Sequence, residues 1–380
     1  MRYIKIIIML LFTAYLTSPL WAKTANDDLS GSYLDAMDAQ VIKGFEFLRD
    51  QPFIRNTLTD LTHTIATIPA KLHLEAGETS YAPVSKVEKP ALATPTDGLF
   101  AVHNIQIGDK MESVIQELGK PKRITTNEYG SEWHTFHTDY QNFLMVSFDT
   151  SYRVNGLFTN NDLIATTYGF KLNSPKSVVQ QALGEPLKQI RKGNINYLLH
   201  DDGEMDTFLI ENVYVTVFYD VHENHTVTAI QILSDSLEKQ KAALYGKASE
   251  ALRTGFEFQL FDLTNAARVH HSIPPLQWES TIRGTAYKHS ADMAEHQYFS
   301  HTNLEGQSPF ERMTMDGIDY SVAGENLAYG QPSSIFAHEG LMNSMGHRKN
   351  LLKKDFTLLG VGVAFSDEKQ PYYTENFYTP

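Results

Sequence analysis

Cysteine is absent from all 380 residues of the chain. Disulfide bonds, CxxC redox motifs, thiolate zinc sites and cysteine nucleophiles are therefore excluded. Any metal ion held by this protein must be bound by His, Asp or Glu side chains. The lack of thiols does not identify a cellular compartment, because cytosolic and exported bacterial proteins both tolerate it.

Basic residues are few: the chain has 32 Lys and Arg against 45 Asp and Glu, a formal net charge of -13 at pH 7. Phosphate binding requires clustered Lys and Arg, so we expect no nucleic-acid partner, and anionic lipid headgroups are disfavoured for the same reason. Long apolar runs are also lacking after the amino terminus, which predicts that only the amino-terminal segment contacts a membrane. A hydrophobic content of 42% is typical of a folded chain, and its length fits two or three domains.

The first 25 residues have the layout of a secretory signal peptide. Arg2 and Lys5 precede an apolar run at residues 6–16, and small residues such as Ala22 follow it. As a helix this run would span only about 16 Å, well short of the roughly 30 Å hydrocarbon core. We therefore expect export with cleavage near Ala22 or Ala25 and a secreted or cell-envelope location; a retained amino-terminal anchor is the alternative.

Composition divides the rest of the chain into five segments. Residues 26–74 have apolar side chains at three- and four-residue steps, which predicts a helical segment. Residues 75–97 hold three prolines without an apolar period, which predicts a linker. Residues 98–235 form a duplicated α+β module, residues 236–252 favour a bridging helix, and residues 253–380 form the last domain.

The module at 98–235 contains a diverged internal duplication. The stretch IGDKMESVIQELGKP is echoed by LNSPKSVVQQALGEP, with the two Gly-x-Pro signals 65 residues apart. Each copy predicts a helix of about three turns, with Asp109 or Ser174 as N-cap and Gly then Pro at its end. Each unit is expected to be one helix on a small antiparallel sheet, with the two units packed together. Alternating aromatic and β-branched residues predict one hairpin in each copy, at 143–148 with 154–158 and at 213–219 with 226–233.

Two histidine pairs in this module have the i, i+3 spacing of helical metal ligands: His134 with His137, and His222 with His225. They stand beside strand or turn patterns, which favours surface and loop histidines over a metal site. With GKP and GEP as its repeated landmarks, the module resembles the bacterial CAP-associated N-terminal domain, which is found upstream of secreted CAP domains. The resemblance implies no defined biochemical role.

The last domain begins with an amphipathic helix over residues 256–271 and a second helix over residues 279–296. Six short motifs follow one another here: NAAR, HSADM, YFSH, AGENLA, NSMGHRKNL and LGVGVA. In this order and spacing they resemble the CAP superfamily, also called the SCP or pathogenesis-related-1 type, in a cysteine-free bacterial form. The resemblance implies an α+β fold, with an α-β-α sandwich whose two C-terminal strands are GVGVAF and PYYTENFY.

The resemblance also implies a cleft with two histidines and two glutamates, which in some family members holds a divalent cation. The first histidine matches His301 of the FSH triplet, the first glutamate matches Glu325 of GEN, and the second histidine matches His347 of SMGHR. These three residues are the candidates for catalytic or metal-binding roles.

The second glutamate of that pattern has no counterpart, because Ser344 stands at the expected position. Glu339 lies five residues earlier, about 140° round a helix axis from Ser344, so it is no simple substitute. Glu339, Ser344 and Asn326 are expected to line the cleft.

Three interpretations are open for His301, Glu325 and His347. Two neutral imidazoles and a carboxylate are the ligand set of a zinc site with an open fourth position, which would acidify a bound water. Without a metal, the same groups form a hydrogen-bonding cage for a polar ligand. In the third interpretation they bond one another and hold loops in place. No cofactor is certain, and a divalent cation such as zinc is the candidate.

Other catalytic motifs are incomplete. His338 and Glu339 begin like HExxH, but the second histidine position is Met342. Gly360 and Gly362 lack the third glycine of a dinucleotide loop and lie in a strand pattern. The chain contains no GxxxxGK[ST] and no GxSxG.

These patterns favour an exported bacterial CAP-domain protein that acts in the cell envelope or outside the cell as a binding or interaction module. Its expected partner is a cell-envelope ligand or protein. The alternative is a metal-dependent hydrolase or peptidase that uses His301, Glu325 and His347. A third interpretation makes the module at 98–235 a recognition domain for a wall polymer or a protein partner.

Overall fold

The computed structural model describes residues 86–96, 98–199 and 203–380. The predicted signal peptide at 1–25 and helical segment at 26–74 lie outside the described residues. The described part of the predicted linker, residues 86–96, contains neither helix nor strand.

This linker segment is attached to the module that follows it. The Val87 backbone N–H donates to Gln141 Oε1 at 3.0 Å. The Ala93 N–H donates to Asn104 Oδ1 at 2.8 Å, and Asn104 Nδ2 donates to the Ala91 carbonyl at 2.9 Å. These hydrogen bonds therefore attach the segment to the module.

Two modules follow the linker. The strands of the first module are β1 (Phe100–Val102), β2 (Arg123–Thr126), β3 (Glu132–Thr138), β4 (Gln141–Phe148), β5 (Val154–Thr159), β6 (Ile164–Thr166), β7 (Gln189–Lys192), β8 (Ile195–Leu198), β9 (Met205–Ile210), β10 (Val213–Asp220) and β11 (Thr226–Ser234). Its helices are α1 (Met111–Leu118), α2 (Lys176–Leu183) and α3 (Asp235–Gln240).

The second module alternates helices and strands. Its helices are α4 (Glu250–His270), α5 (Ser280–His296), α6 (Pro309–Met315), α7 (Ser334–Asn343) and α8 (Met345–Leu351). Its strands are β12 (Gln277–Trp278), β13 (Val322–Tyr329), β14 (Leu358–Phe365) and β15 (Pro371–Thr379).

Seven strands of the first module form one antiparallel sheet in the order β2-β3-β4-β5-β11-β10-β9. The two predicted hairpins are β4–β5 and β10–β11, and both are confirmed. The repeats join edge to edge where β5 pairs with β11, from Gly156 opposite Leu233 to Thr159 opposite Ile230. The duplication therefore builds one continuous sheet instead of two small sheets packed together.

The helix of each repeat ends as predicted. Gly119 follows α1 with a φ of 78°, and Gly184 follows α2 with a φ of 83°. Each glycine N–H donates back to a helix carbonyl, that of Ile115 or Gln180. Positive φ angles favour glycine, so the Gly-x-Pro signal ends the helix for a local reason. Each helix has eight residues, which is about two turns rather than three.

The predicted N-caps are wrong. Helices α1 and α2 begin after Lys110 and Pro175, neither of which makes a side-chain cap bond. Asp109 Oδ2 instead accepts from the Gln106 backbone N–H at 2.8 Å. Ser174 Oγ accepts the equivalent bond, from the residue three positions before it, at 3.0 Å. Both polar side chains therefore close the turn that precedes the helix.

The sheet of the first module is covered on both faces. One face packs on its own helices through a core that includes Val114 of α1 and Val179 of α2. The other face, with Trp133, packs against Leu263 of α4 and Ile335 of α7. The two modules therefore share a hydrophobic core, as parts of one compact unit of the chain.

The bridging helix predicted over residues 236–252 is wrong. Helix α3 ends at Gln240, residues 241–249 are irregular, and α4 begins after its N-cap, Ser249. Two short pieces of helix therefore replace the continuous one.

Tertiary contacts explain the break. Lys241 Nζ lies 4.9 Å from the ring centroid of Tyr129, and the Tyr245 hydroxyl donates to the Gly330 carbonyl at 3.1 Å. Both contacts come from the irregular segment, which bends to reach them. Packing against distant residues overrides a helix propensity of only a few tenths of a kcal/mol per residue.

The second module is an α-β-α sandwich, as predicted. Its sheet has the order β12-β14-β15-β13, in which β12 and β14 are parallel and the other pairs are antiparallel. Helix α5 packs on one face, and helices α4, α7 and α8 pack on the other. The predicted C-terminal strands are β14 and β15.

Helix α4 lacks the exposed face of the predicted amphipathic helix, because it lies between the two sheets. It contacts β2 and β4 of the first module and β14 of the second. Its two buried acidic residues are paired: Asp262 lies 2.8 Å from Arg123, and Glu257 lies 2.7 Å from Arg283. These pairs allow charged side chains to remain in a buried helix.

The GVG stretch of β14 sets the distance to helix α5. A Cβ atom at Gly360 would lie 2.2 Å from the Arg283 backbone nitrogen, and one at Gly362 would lie 2.1 Å from that of Tyr287. Only glycine permits this close approach of a helix to a strand. The stretch therefore serves packing and not dinucleotide binding.

We expect Gly362→Ala to lower the free energy of unfolding by about 3 kcal/mol, because α5 must move away from β14. Gly284→Ala in α5 is the matched control, since no atom lies within 4 Å of its Cβ position. Removing this helical glycine is expected to stabilise the protein by up to about 1 kcal/mol. Urea unfolding followed by circular dichroism measures both changes, and equal stability of the two variants would contradict this account of the packing.

Candidate functional site

Glu325 on β13 is the centre of the predicted site, and its side chain is only 1% exposed. Its Oε1 lies 3.0 Å from His301 Nδ1, and its Oε2 accepts a hydrogen bond of 2.7 Å from Arg312 Nη2. Each oxygen of the carboxylate therefore has its own partner. The His301 side chain is 52% exposed, so these contacts run from a buried arginine to an imidazole at the surface.

Arg312 is a site residue that the sequence did not reveal. It also donates to the carbonyls of His301 at 2.8 Å and Gln307 at 3.0 Å, so it holds the loop that carries His301. Ser308 and Glu311 form a capping box that begins α6, and Arg312 follows it directly in the helix. That local signal predicts a helix start, but it does not tell which distant carboxylate the arginine meets.

His347 completes the predicted set. It lies in the first turn of α8, with its Nδ1 2.8 Å from Ser344 Oγ. Burial lowers its pKa, and the positive charge of nearby His301 lowers it further. Ser344 stands where the family's second glutamate is expected, and its hydroxyl is the polar partner of His347. The structure therefore brings together His301, Glu325 and His347, with Ser344 beside them.

Asn326 lies beneath the site and does not line it, because it is 0% exposed. Its Nδ2 donates to the His347 carbonyl and to Glu375 Oε2, each at 3.2 Å. Asn350 of α8 donates to the Glu325 carbonyl at 3.2 Å and to Asn326 Oδ1 at 3.0 Å. These bonds fasten α8 to β13 and so fix His347 relative to Glu325.

His289 is a second residue near the site that the sequence did not assign to it. Its Nε2 lies 2.9 Å from the Ser300 carbonyl, next to His301. Burial lowers the pKa of His289, against the opposing charge of Glu325. His296, seven residues further along α5, is exposed instead.

Glu339 faces the first module, so the prediction that it lines the histidine cleft is wrong. It lies on α7, is 6% exposed, and accepts a hydrogen bond of 3.2 Å from Thr228 Oγ1 of β11. Burial raises the pKa of Glu339 to about 8, which keeps the carboxyl protonated at neutral pH. The rotation about the helix axis between Glu339 and Ser344 explains why one reaches the sheet and the other reaches His347.

The expectation of surface and loop histidines in the first module is wrong for His134 and confirmed for His222. His134 is buried in β3, where its ring packs edge-on against Phe148 with 5.0 Å between centroids. It is therefore not a surface histidine. His222 lies in the turn after β10, with its Nε2 2.8 Å from the Asn343 carbonyl of the second module.

The donor set of the cleft does not fit a zinc ion in this arrangement. Arg312 and His301 occupy the two oxygens of Glu325, and the guanidinium already supplies the positive charge that a cation would bring. Across residues 86–96, 98–199 and 203–380, no group of three or more His, Asp or Glu could hold a metal ion. The site is therefore a set of hydrogen-bonding groups.

Comparison with known families agrees with these features. A family model for the CAP-associated N-terminal domain matches residues 107–244, and that of the cysteine-rich secretory protein family, CAP, matches residues 261–377. The chain therefore contains both of these domains. In particular, it joins a CAP-associated N-terminal domain to a CAP domain that contains no cysteine.

Two similar proteins come from Bacillus subtilis (strain 168). The first, "Uncharacterized membrane protein YlbC", is 29% identical over 308 residues, which cover 74% of this chain and 84% of that protein. The second, "Uncharacterized protein YkwD", is 39% identical over 124 residues, which cover 33% of this chain and 47% of that protein.

Two solved structures resemble the chain. An extracellular protein containing an SCP domain from Bacillus anthracis str. Ames matches with a TM-score of 0.63 and 26% identity, covering 77% of this chain and 100% of its own. A cysteine-rich secretory protein from Staphylococcus aureus subsp. aureus Mu50 matches with a TM-score of 0.56 and 16% identity, covering 72% and 94%. The second likeness concerns the fold alone. Among the residues that the structure describes, no helix has the length and apolar character to span a membrane.

We expect Arg312→Met to destabilise the protein by about 3–5 kcal/mol, because Glu325 would remain as a buried charge without its partner. Lys288→Met is the matched control: Lys288 lies 2.6 Å from Asp316 but is 68% exposed. Such a surface pair contributes less than about 1 kcal/mol. Chemical unfolding at neutral pH measures both losses, and similar values would show that Glu325 does not depend on Arg312.

Glu339 also predicts a pH dependence. Its pKa is about 8 in the folded protein against an ordinary value of 4.5, so between these pH values the unfolded chain has lost a proton that the folded protein keeps. This group therefore lowers the free energy of unfolding as the pH rises through that range. Glu339→Gln stays neutral and still accepts from Thr228. Its free energy of unfolding should therefore nearly equal that of the wild type at the lower end of this pH range. At the upper end it should be greater by on the order of 2 to 4 kcal/mol.

Urea unfolding of both proteins at the two ends of this pH range provides the measurement. The exposed Glu305→Gln is the control and should change stability equally little at both ends. A stability difference for Glu339→Gln that is constant with pH would contradict the raised pKa.

Proposed function

We propose that this protein is exported and acts in the cell envelope or outside the cell as a non-catalytic binding module. The signal-peptide pattern of residues 1–25 supports export. Two similar proteins have compatible descriptions: that of Bacillus anthracis is called extracellular, and YlbC is called a membrane protein. The cleft at His301, Glu325 and His347 is the proposed binding site.

The observation that carries this proposal is that both oxygens of Glu325 already have protein partners. These partners hold the carboxylate in place, and a water molecule or ligand would have to share an oxygen with His301 or Arg312. His301 Nδ1 faces Glu325 Oε1, which directs the Nε2 edge of the ring away from the carboxylate. The half-exposed His301 ring therefore offers a ring nitrogen of fixed orientation to a ligand.

His347 adds a second polar group to the cleft. Burial and the charge of His301 lower its pKa, which favours the neutral imidazole. A neutral ring both donates and accepts hydrogen bonds, and Ser344 Oγ orients it. The chemistry of the cleft therefore suits a polar ligand with hydroxyl or amide groups.

The alternative function, a metal-dependent hydrolase or peptidase, needs Glu325 as a ligand or as a general base. Its contacts with Arg312 and His301 oppose both roles. A metal ion or substrate would have to share Glu325 with Arg312, whose side chain is 8% exposed.

Sedimentation of the full chain with purified Bacillus subtilis cell walls tests the proposal. We expect the wild type to co-sediment and His301→Ala to weaken its apparent affinity by roughly tenfold, the loss of one hydrogen bond. His296→Ala is the matched control, because His296 is also exposed and lies 2.9 Å from an acid, Asp292. It should bind like the wild type.

Three results would contradict the proposal. The first is no retention of the wild type on the walls. The second is release of soluble wall fragments by the wild type but not by His347→Ala, which would assign catalysis. The third is stoichiometric Zn²⁺ uptake in calorimetry that His301→Ala abolishes, which would assign a metal site.

A further inference from the structure

A cavity of about 450 Å³ lies between the two modules, and its lining includes neither His301, Glu325 nor His347. Its floor is formed by the end of the seven-stranded sheet that contains β9, β10 and β11. Residues 329–332 and helix α7 of the second module form the opposite wall. The volume lies within the range of about 300–1,000 Å³ that small-molecule sites have.

The cavity exists because the two repeats of the first module differ in the strand that follows the helix. After α1, the Lys122 N–H donates to the Thr135 carbonyl, and the chain continues along the sheet edge as β2. After α2, the Leu187 N–H makes the equivalent bond to the Thr207 carbonyl, but β7 then pairs with β8. The second repeat thus leaves β9 as the edge strand, and the detached hairpin encloses space beside it.

A buried ion pair holds this hairpin over the cavity. Lys192 Nζ lies 2.6 Å from Glu238 Oε1, with side chains 6% and 7% exposed, and it also donates to the Glu238 carbonyl. Ile190 and Tyr197 line the cavity from the same hairpin. The enclosure is therefore fixed by a charge pair whose separation would be costly.

Aromatic rings form much of the wall. An aromatic face packs well against an apolar ligand face, and a tyrosine hydroxyl adds a polar edge. The rings come from both modules: Tyr129, Tyr197, Tyr214, Tyr245, Tyr329 and Phe336.

Two glutamines supply polar groups that the protein does not use. Gln231 of β11 is 1% exposed, and its Nε2 has no hydrogen-bond partner among the described residues. Gln331 lies on the opposite wall, and its buried Oε1 also has no hydrogen-bond partner among the described residues. Both line the cavity. An unpaired buried amide is destabilising, so these two groups point to a ligand that pairs with them.

We propose that this cavity binds an N-acetylated sugar, as a single residue or a disaccharide. An acetamido group has one carbonyl, which accepts from Gln231 Nε2, and one N–H, which donates to Gln331 Oε1. The C–H face of the sugar ring packs on the tyrosine rings, and its hydroxyls face the remaining polar groups.

Other ligand classes fit the cavity less well. A peptide strand would need the backbone of the edge strand β9, but the Thr207 carbonyl already accepts from the Leu187 N–H, and the floor presents side chains such as Thr207 and Thr216. An anion would meet Lys192 already paired with Glu238. A fully apolar ligand would leave the amides of Gln231 and Gln331 unpaired.

Calorimetric titration of the full chain with N,N'-diacetylchitobiose tests the inference. Cellobiose is the matched ligand control, because it has the same two rings with hydroxyls in place of the acetamido groups. We expect chitobiose to bind, and cellobiose to bind at least about tenfold more weakly. Gln231→Leu should weaken chitobiose binding by a similar factor, whereas Gln181→Leu on the exposed face of α2 should not.

Binding in the cavity can be distinguished from binding in the histidine cleft, because His301→Ala should leave chitobiose binding unchanged. If Gln231→Leu fails to fold in circular dichroism, Gln331→Leu takes its place with the same expected loss. The inference is overturned by no saturable binding of chitobiose, by equal binding of cellobiose, or by a glutamine variant that folds and binds chitobiose like the wild type.

Discussion

The burial of helix α4 between two sheets is the constraint on which the rest of the structure depends. A helix without a solvent face must satisfy its charged residues internally, and α4 does so on both sides. Asp262 reaches Arg123 of the first module. Arg268, which is 0% exposed, donates to the carbonyls of Leu351 and Phe356 of the second. The NAAR motif is therefore structural, since its arginine fixes the loop that follows α8.

This arrangement couples the two modules. The sheet of the CAP-associated domain uses one face for its own helices and the other for α4 and α7 of the CAP domain. Helix α7 contacts both sites. Its Glu339 bonds to Thr228 of the first module, and Ser344 at its C-terminal end bonds to His347 in the cleft. The cleft and the cavity between the modules are thus built on one shared scaffold.

Patterns that depend on neighbouring residues were predictable. The glycine-terminated helices, the hairpins and the strands β14 and β15 follow from turn chemistry and alternation, which act over a few residues. The bridging helix and the N-caps were not predictable, because Lys241 and Tyr245 bend that segment through distant contacts and Asp109 serves a turn instead of a helix. In the site, the resemblance to the CAP superfamily identified His301, Glu325 and His347 but not Arg312, whose partner is thirteen residues away on another element.

The sequence by itself determined the absence of thiol chemistry, the duplicated module, the CAP domain and the three residues that meet in its cleft. These depend on composition and on short motifs, which are visible in a single chain. Only the tertiary structure decided which partner each of three polar side chains obtains: Arg312 for Glu325, Ser344 for His347 and Thr228 for Glu339. The physical reason is that a buried polar group takes the partner that packing brings within hydrogen-bond distance, and packing joins residues that no local pattern connects.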